Sequence, residues 1–305
     1  MTTYEQVVAP LPAVSRSERV VRFITRTPLH LALLGIAVIW LIPTVGLAIT
    51  SFRPNGDILS SGWWTAFTHW NWTLDNYSSV IHANGMGHAW VNSVIITIPA
   101  TILPLTLGAL AAFGFAWVSF PLRDTIFLAI VALMIVPIQT SLVPLLKLFR
   151  EWHLSEPHFG IGAFSFVGIW LAHTAFGLPL AIFLLRNFFI TLPKDLIEAA
   201  RMDGASNFAI FRRIVIPLSV PALASFGIFQ FLWVWNDLLM ALIFLSGEPS
   251  RQPMTVRIPY LLSTYGPEYH LLSAAAFLLM FLPLIVFFAL QRYFVQGLLA
   301  GSVKT

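Results

Sequence analysis

The stretch 191–221, TLPKDLIEAARMDGASNFAIFRRIVIPLSVP, is patterned too regularly for a plain linker. Pro193 suits the start of a helix, Asp195 and Glu198 fall in its first turns, and Leu196, Ala199 and Ala200 make a small apolar face. Gly204 then permits a sharp break, by backbone conformation or by clearance. Beyond it Phe208, Phe211, Ile214 and Val215 recur at helical spacing with Arg212 and Arg213 pointing elsewhere, until Pro217 and Pro221 end the pattern. A short helix, a glycine turn and a second helix suit insertion into a groove on a partner protein. The chemistry is recognition: Ala199 and Ala200 allow close approach, and Glu198 can meet a basic group.

A second set of candidates lies inside apolar runs, where a polar side chain is costly unless paired or wetted and therefore points first to a transport path. Asn236 and Asp237 lead it, followed by Gln139, Gln230 and Asn92. Placed about 17 residues into its run, Asp237 sits roughly 25 Å from the inner end at 1.5 Å per residue. Together with Asn236 it can accept hydrogen bonds from solute hydroxyls; the alternative is that the pair caps or binds a neighbouring helix. His173 has no second histidine or carboxylate three or four residues away on its own helix, which favours a helix-to-helix hydrogen bond over a metal site or proton relay. The absence of cysteine excludes disulfides, thiolate metal sites and cysteine nucleophiles. No G-x-x-x-x-G-K-[ST] phosphate loop occurs, so no nucleotide site of the usual kind is expected in this chain.

The elements that position these residues must lie in a bilayer. Of 305 residues 58% are hydrophobic and only 10% charged, and the mean hydropathy is +0.82. A water-soluble domain has about a quarter of its residues charged. The pI near 9.7 comes from short basic islands between long uncharged runs, which suits anionic lipid headgroups and leaves no patch for nucleic acid. About 20 apolar residues are needed to cross the hydrocarbon. Six runs meet that length, at about 29–50, 88–119, 125–145, 160–185, 220–245 and 270–293. The expected architecture is an all-α membrane protein with a helix-turn-helix at 191–221. Residues 1–28 precede the spans, with Arg16, Arg19, Arg22 and Arg26 spaced for an amphipathic helix on the inner leaflet; the transmembrane region is 29–300 and the tail 301–305.

Even span number places both termini on one side. Twelve Lys and Arg fall on that side against five on the other, which makes the terminal side, and the 191–221 segment with it, cytoplasmic. Trp63, Trp64, Trp70 and Trp72 then lie in the first external loop, where Ser61 to Asn76 offers either interfacial anchors or a protein-binding surface.

Glu198-Ala199-Ala200, three residues, Gly204, nine residues, then Ile214-Val215-Ile216-Pro217 resembles the EAA loop of bacterial ABC importer permeases, with Ile216 where leucine is usual. Asp203 and Ala205 complete the DGA form common in carbohydrate importers. Trp235-Asn236-Asp237 and the ending from Gln291 to Lys304 are similar to the second permease subunit of maltose-type importers, and Ser51-Phe52-Arg53-Pro54 with Ser61-Gly62-Trp63-Trp64 is similar to the α-glucoside branch. The resemblance implies a type I importer permease of the bacterial inner membrane that docks an ATPase through Glu198, Ala199, Ala200, Asp203, Gly204, Ile214 and Pro217. Its implied partners are a second permease, two ATPase subunits holding ATP and Mg, and an external solute-binding protein. The substrate would be maltose, trehalose, sucrose or a related glucoside, and the chain itself would hold no cofactor and perform no catalysis. The competing class is a self-contained secondary transporter or intramembrane enzyme, for which Asp237 would be the only acidic group well inside a span.

Overall fold

The computed structural model describes residues 16–83, 85–151, 165–245, 247–264 and 268–300; the expected tail at 301–305 lies outside them. Among the described residues the chain is nearly all helical and has no strand. In chain order the helices are α1 (Arg16–Ser51), the short α2 (Asn55–Ser60) and α3 (Asp75–Ser78), α4 (Met86–Trp117), α5 (Arg123–Leu133), α6 (Ile138–Glu151) and α7 (Phe166–Phe189). There follow α8 (Lys194–Met202), α9 (Asn207–Ile210), a π turn at Phe211–Val215, α10 (Ile216–Leu218), α11 (Val220–Trp235), α12 (Leu239–Leu245), α13 (Met254–Thr264) and α14 (Tyr269–Ala300).

Among the described residues four helices are long and apolar enough to span alone: Thr27–Ser51 of α1, α4, α7 and Tyr269–Tyr293 of α14. Six spans result when two bent pairs each count as one. The expected third span at 125–145 is not straight: α5 and α6 meet at 101°. Pro137, at the junction, supplies no amide donor and restrains the residue before it. The expected continuous fifth span at 220–245 is likewise interrupted. Residues 207–218 meet α11 at 77°, and α11 stops at Trp235 before α12 begins at Leu239. At that stop the Asn236 amide side chain donates to the Leu232 carbonyl at 2.8 Å, and the Asp237 carboxylate accepts the Ala241 amide at 3.1 Å. These polar side chains satisfy backbone groups at the helix ends, so the break survives inside an apolar run.

α4 and α7 form the central pair, joined by α11, which also packs on α14. One apolar cluster in this frame contains Ile96, Leu142, Ile169 and Phe244; another, at the end carrying α8 and α9, contains Ala112, Phe113, Leu185, Phe189, Ile197, Ile210, Phe211 and Val215. By contrast α1 leaves Leu31, Leu34, Ile39 and Trp40 uncovered, a surface suited to hydrocarbon.

Past α1, residues 51–78 fold onto themselves. Asn76 donates to the carbonyls of Ser51 and Arg53 at 2.9 and 2.8 Å, and the Ser51 and Tyr77 hydroxyls lie 2.7 Å apart. Burial pushes the Tyr77 phenol pKa up, which keeps it a neutral hydrogen-bonding group. Arg53 is only 4% exposed and donates to the Gly62 carbonyl at 2.9 Å, the Asp57 carbonyl at 3.1 Å, the Ser61 hydroxyl at 2.7 Å and the Thr65 hydroxyl at 3.2 Å. Trp63 meanwhile lies so close to Gly46 of α1 that a Cβ there would sit 2.9 Å from its indole nitrogen. The two motifs at 51–54 and 61–64 are therefore halves of one structure. Arg53→Met should strip these acceptors and cost about 2 kcal/mol locally, read as a roughly 30-fold loss of amide-exchange protection over 55–66. Unchanged protection there would show that Arg53 does not organise the lobe.

Candidate functional site

The 191–221 segment forms the expected helix-turn-helix. α8 ends in a Schellman turn: the Ala205 amide reaches the Ala200 carbonyl at 2.9 Å and the Gly204 amide reaches the Arg201 carbonyl at 3.0 Å. Gly204 takes φ +80°, while a Cβ built there would meet nothing within 4 Å. Its requirement is thus backbone hand and not clearance. Ser206 then caps α9, its hydroxyl accepting the Ala209 amide at 3.3 Å.

The hairpin's faces differ from the sequence expectation. On α8, Ile197 is buried with Ala200 partly packed behind it, while Leu196 and Ala199 are exposed. On the second helix Ile210, Phe211 and Val215 are buried, Ile214 packs at the margin, and Phe208 is 63% exposed. The buried face centres on Ile210, Phe211, Ile214 and Val215, and at 100° per residue Phe208 falls at its margin. The inward side chains rest on Ala112 and Phe113 of α4 and Leu185 and Phe189 of α7. Arg201 adds a hydrogen bond to the Trp117 carbonyl at the end of α4. Left outward are Leu196, Glu198, Ala199, Asp203, Phe208 and Met202, the last 89% exposed; Pro217 is also exposed, just before the bend into α11.

The intramembrane candidates separate by position. Asn236 is exposed at the break and Gln139 is exposed in the first turn of α6. Asn92 is buried and donates to the Ser250 and Gln252 carbonyls at 2.8 and 3.1 Å, which ties α4 to the segment entering α13. Gln230 is fully buried, donates to the Ala100 carbonyl at 3.1 Å, and lies against Gly177, where a Cβ would come within 2.8 Å of its amide. Asp237 is half-buried: its carboxylate takes the Ala241 amide, and its own carbonyl accepts the Thr255 hydroxyl at 2.8 Å.

Residues 104–299 match the family described as binding-protein-dependent transport system inner membrane component. The chain belongs to that family. It is 49% identical over 295 residues, 95% of this chain and 96% of the other, to the osmoprotective compounds uptake permease protein GgtD of Synechocystis sp.. It is 50% identical over 256 residues, 84% of this chain and 67% of the other, to the alpha-glucoside transport system permease protein AglG of Rhizobium meliloti. The fold is that of a bacterial ABC transporter involved in the import of the acidic polysaccharide alginate, with a TM-score of 0.69, 22% identity and coverage of 93% of this chain and 100% of that one.

This inner membrane component is accordingly a multi-pass permease of an ABC importer, a transport subunit and not an enzyme. His173 of the permease does not make the helix-to-helix hydrogen bond expected from its sequence. His173 of α7 lies 3.9 Å from Asp237 across the helix boundary, a pairing that spacing along one helix cannot reveal. The only sequence signal was that both are ionisable residues within long apolar runs.

Proposed function

We propose that this permease is one of two membrane subunits in an ATP-driven importer of sugars, with an α-glucoside such as maltose, trehalose or sucrose as substrate. The observation that carries the reading is the hairpin: a rigid cap at Gly204 presents Glu198, Ala199, Met202 and Phe208 outward while Ile197, Ile210 and Phe211 seat it on α4 and α7. In this reading two cytoplasmic ATPase subunits hold ATP and Mg, and each docks a permease through its hairpin. Nucleotide-driven closure displaces Glu198 to Pro217 as a unit, and the displacement passes through the buried side chains into α4 and α7 and through the bend at Ser219 into α11. Both termini are then cytoplasmic, as the Lys and Arg distribution favours. An external solute-binding protein meets the opposite side, where Trp64 and Trp70 stand exposed on the ordered lobe. Asn236, exposed at the break, lines the solute path, with Asp237 supporting the backbone behind it. The α-glucoside assignment draws on the name of the Rhizobium meliloti relative and on the two motifs that meet at Arg53.

The test is reconstitution in liposomes with the sister permease, the ATPase and the binding protein, followed by uptake of radiolabelled maltose, trehalose and sucrose. Uptake of at least one should require both ATP and the binding protein. Ion-driven uptake by this chain alone would overturn the reading in favour of a secondary transporter.

A further inference from the structure

Behind the Asn236–Leu238 break the structure leaves one polar contact incomplete. His173 is 1% exposed, its ring stands edge-on to Trp233 at 5.8 Å between centroids, and neither ring nitrogen bonds a protein group. Its Nε2 stops 3.9 Å from Asp237 Oδ2, beyond hydrogen-bond reach. Between them lies a cavity of about 10 Å³, walled by Ser93 and Thr97 of α4, His173 of α7, Asp237, Ala241 and Thr255. That is about the least room a single water needs, and a buried water typically makes two to four hydrogen bonds to polar walls. A wholly apolar void would stay dry; here Ile96, Ile169, Val234 and Trp235 complete the wall, but an imidazole, a carboxylate and hydroxyls also face the space.

We propose that this cavity binds a single water shared by His173 and Asp237, and that the resulting bridge latches the α11–α12 break onto α7. The other ties of Asp237 run to α12, through the Ala241 amide, and to α13, through the Thr255 hydroxyl. The α13 entry is held in turn by α4: Ser93 accepts the Met254 amide at 3.0 Å, and Asn92 holds the Ser250 and Gln252 carbonyls. The water supplies the link to α7 that this set of direct bonds lacks. His173 is thus a positioning residue that acts through Asp237.

The chain's lack of cysteine makes the latch measurable without any transport assay. Met240→Cys places a thiol on α12 beside the cavity but outside its wall, at a residue only 1% exposed. In membranes holding the full chain, a small methanethiosulfonate reagent should label it slowly. Adding His173→Phe should raise the labelling rate at least about tenfold, because local opening governs access to a buried group. His173→Gln keeps a donor and an acceptor for the water and should stay within about threefold of the starting rate. No change with Phe, or an equal rise with Gln, overturns the latch. If His173→Phe fails to assemble, a high-resolution map of the wild-type protein decides: density for one water within reach of both side chains supports the proposal, and a dry cavity overturns it.

Discussion

Gly204→Val is expected to leave the permease inserted at normal levels and to lower ATP-dependent uptake at least about tenfold, as a hairpin reshaped by backbone strain would. The cause is conformational alone. Gly204 sits at φ +80° with open space where a side chain would go, so a larger residue clashes with no neighbour. An L-residue held in the left-handed region is penalised by about 1–2 kcal/mol, and a β-branched one by more. The turn escapes that strain by rewinding, which breaks the bond from the Ala205 amide to the Ala200 carbonyl and changes the angle between α8 and α9. Ile197 and Ile210 can then no longer both seat against α4 and α7. Gly204→Asn is the control, because asparagine tolerates the left-handed region and should retain most uptake. Co-purification of the ATPase with each variant separates failed docking from failed transmission. Normal docking and uptake with Gly204→Val would remove the hairpin as the coupling element.

What the sequence disclosed and what it hid divide along one physical line. Apolar runs and the marks of the hairpin are local: Pro193, Gly204 and Pro217 announce their backbone roles within a few residues. The α1, α4, α7 and α14 helices follow from hydropathy because a bilayer demands continuous apolar length. Hydropathy cannot see a break filled by side chain to backbone bonds, so the interruption at Asn236 and Asp237 was hidden inside an apolar run. Spacing alone also leaves the centre of a face open, so that Phe208 and Ile210, on its two margins, are told apart only by what packs against them. Pairings between distant segments were equally hidden. Gln230 with Ala100 and Asn92 with Ser250 join parts of the chain that share no pattern, and only packing brings them together. The candidate polar residues were conspicuous by type, while their division into exposed Asn236 and Gln139 and buried Asn92 and Gln230 needed the fold.

The largest loss of stability should come from Gly108, where α4 meets α7. A Cβ at this position would lie 2.5 Å from the Ala181 Cβ and 3.6 Å from its backbone, and Ala181 is itself fully buried. The two helices approach as closely as they do because one of them carries no side chain there, the usual way that membrane helices gain packing without a hydrophobic drive. Gly108→Ala should therefore force the pair apart and cost about 2–3 kcal/mol despite alanine's better helix propensity, and Gly108→Leu should prevent a stable bundle. In detergent the alanine variant should melt roughly 4–10 °C lower by circular dichroism. Exchanging the pair tests the cause. Gly108→Ala combined with Ala181→Gly moves the methyl group from one helix to the other and leaves their summed volume unchanged, so the double variant should recover most of the loss even though Ala181→Gly alone destabilises. Two independent penalties would instead add, and a double variant melting at that sum would show that the α4–α7 approach is not set by this contact.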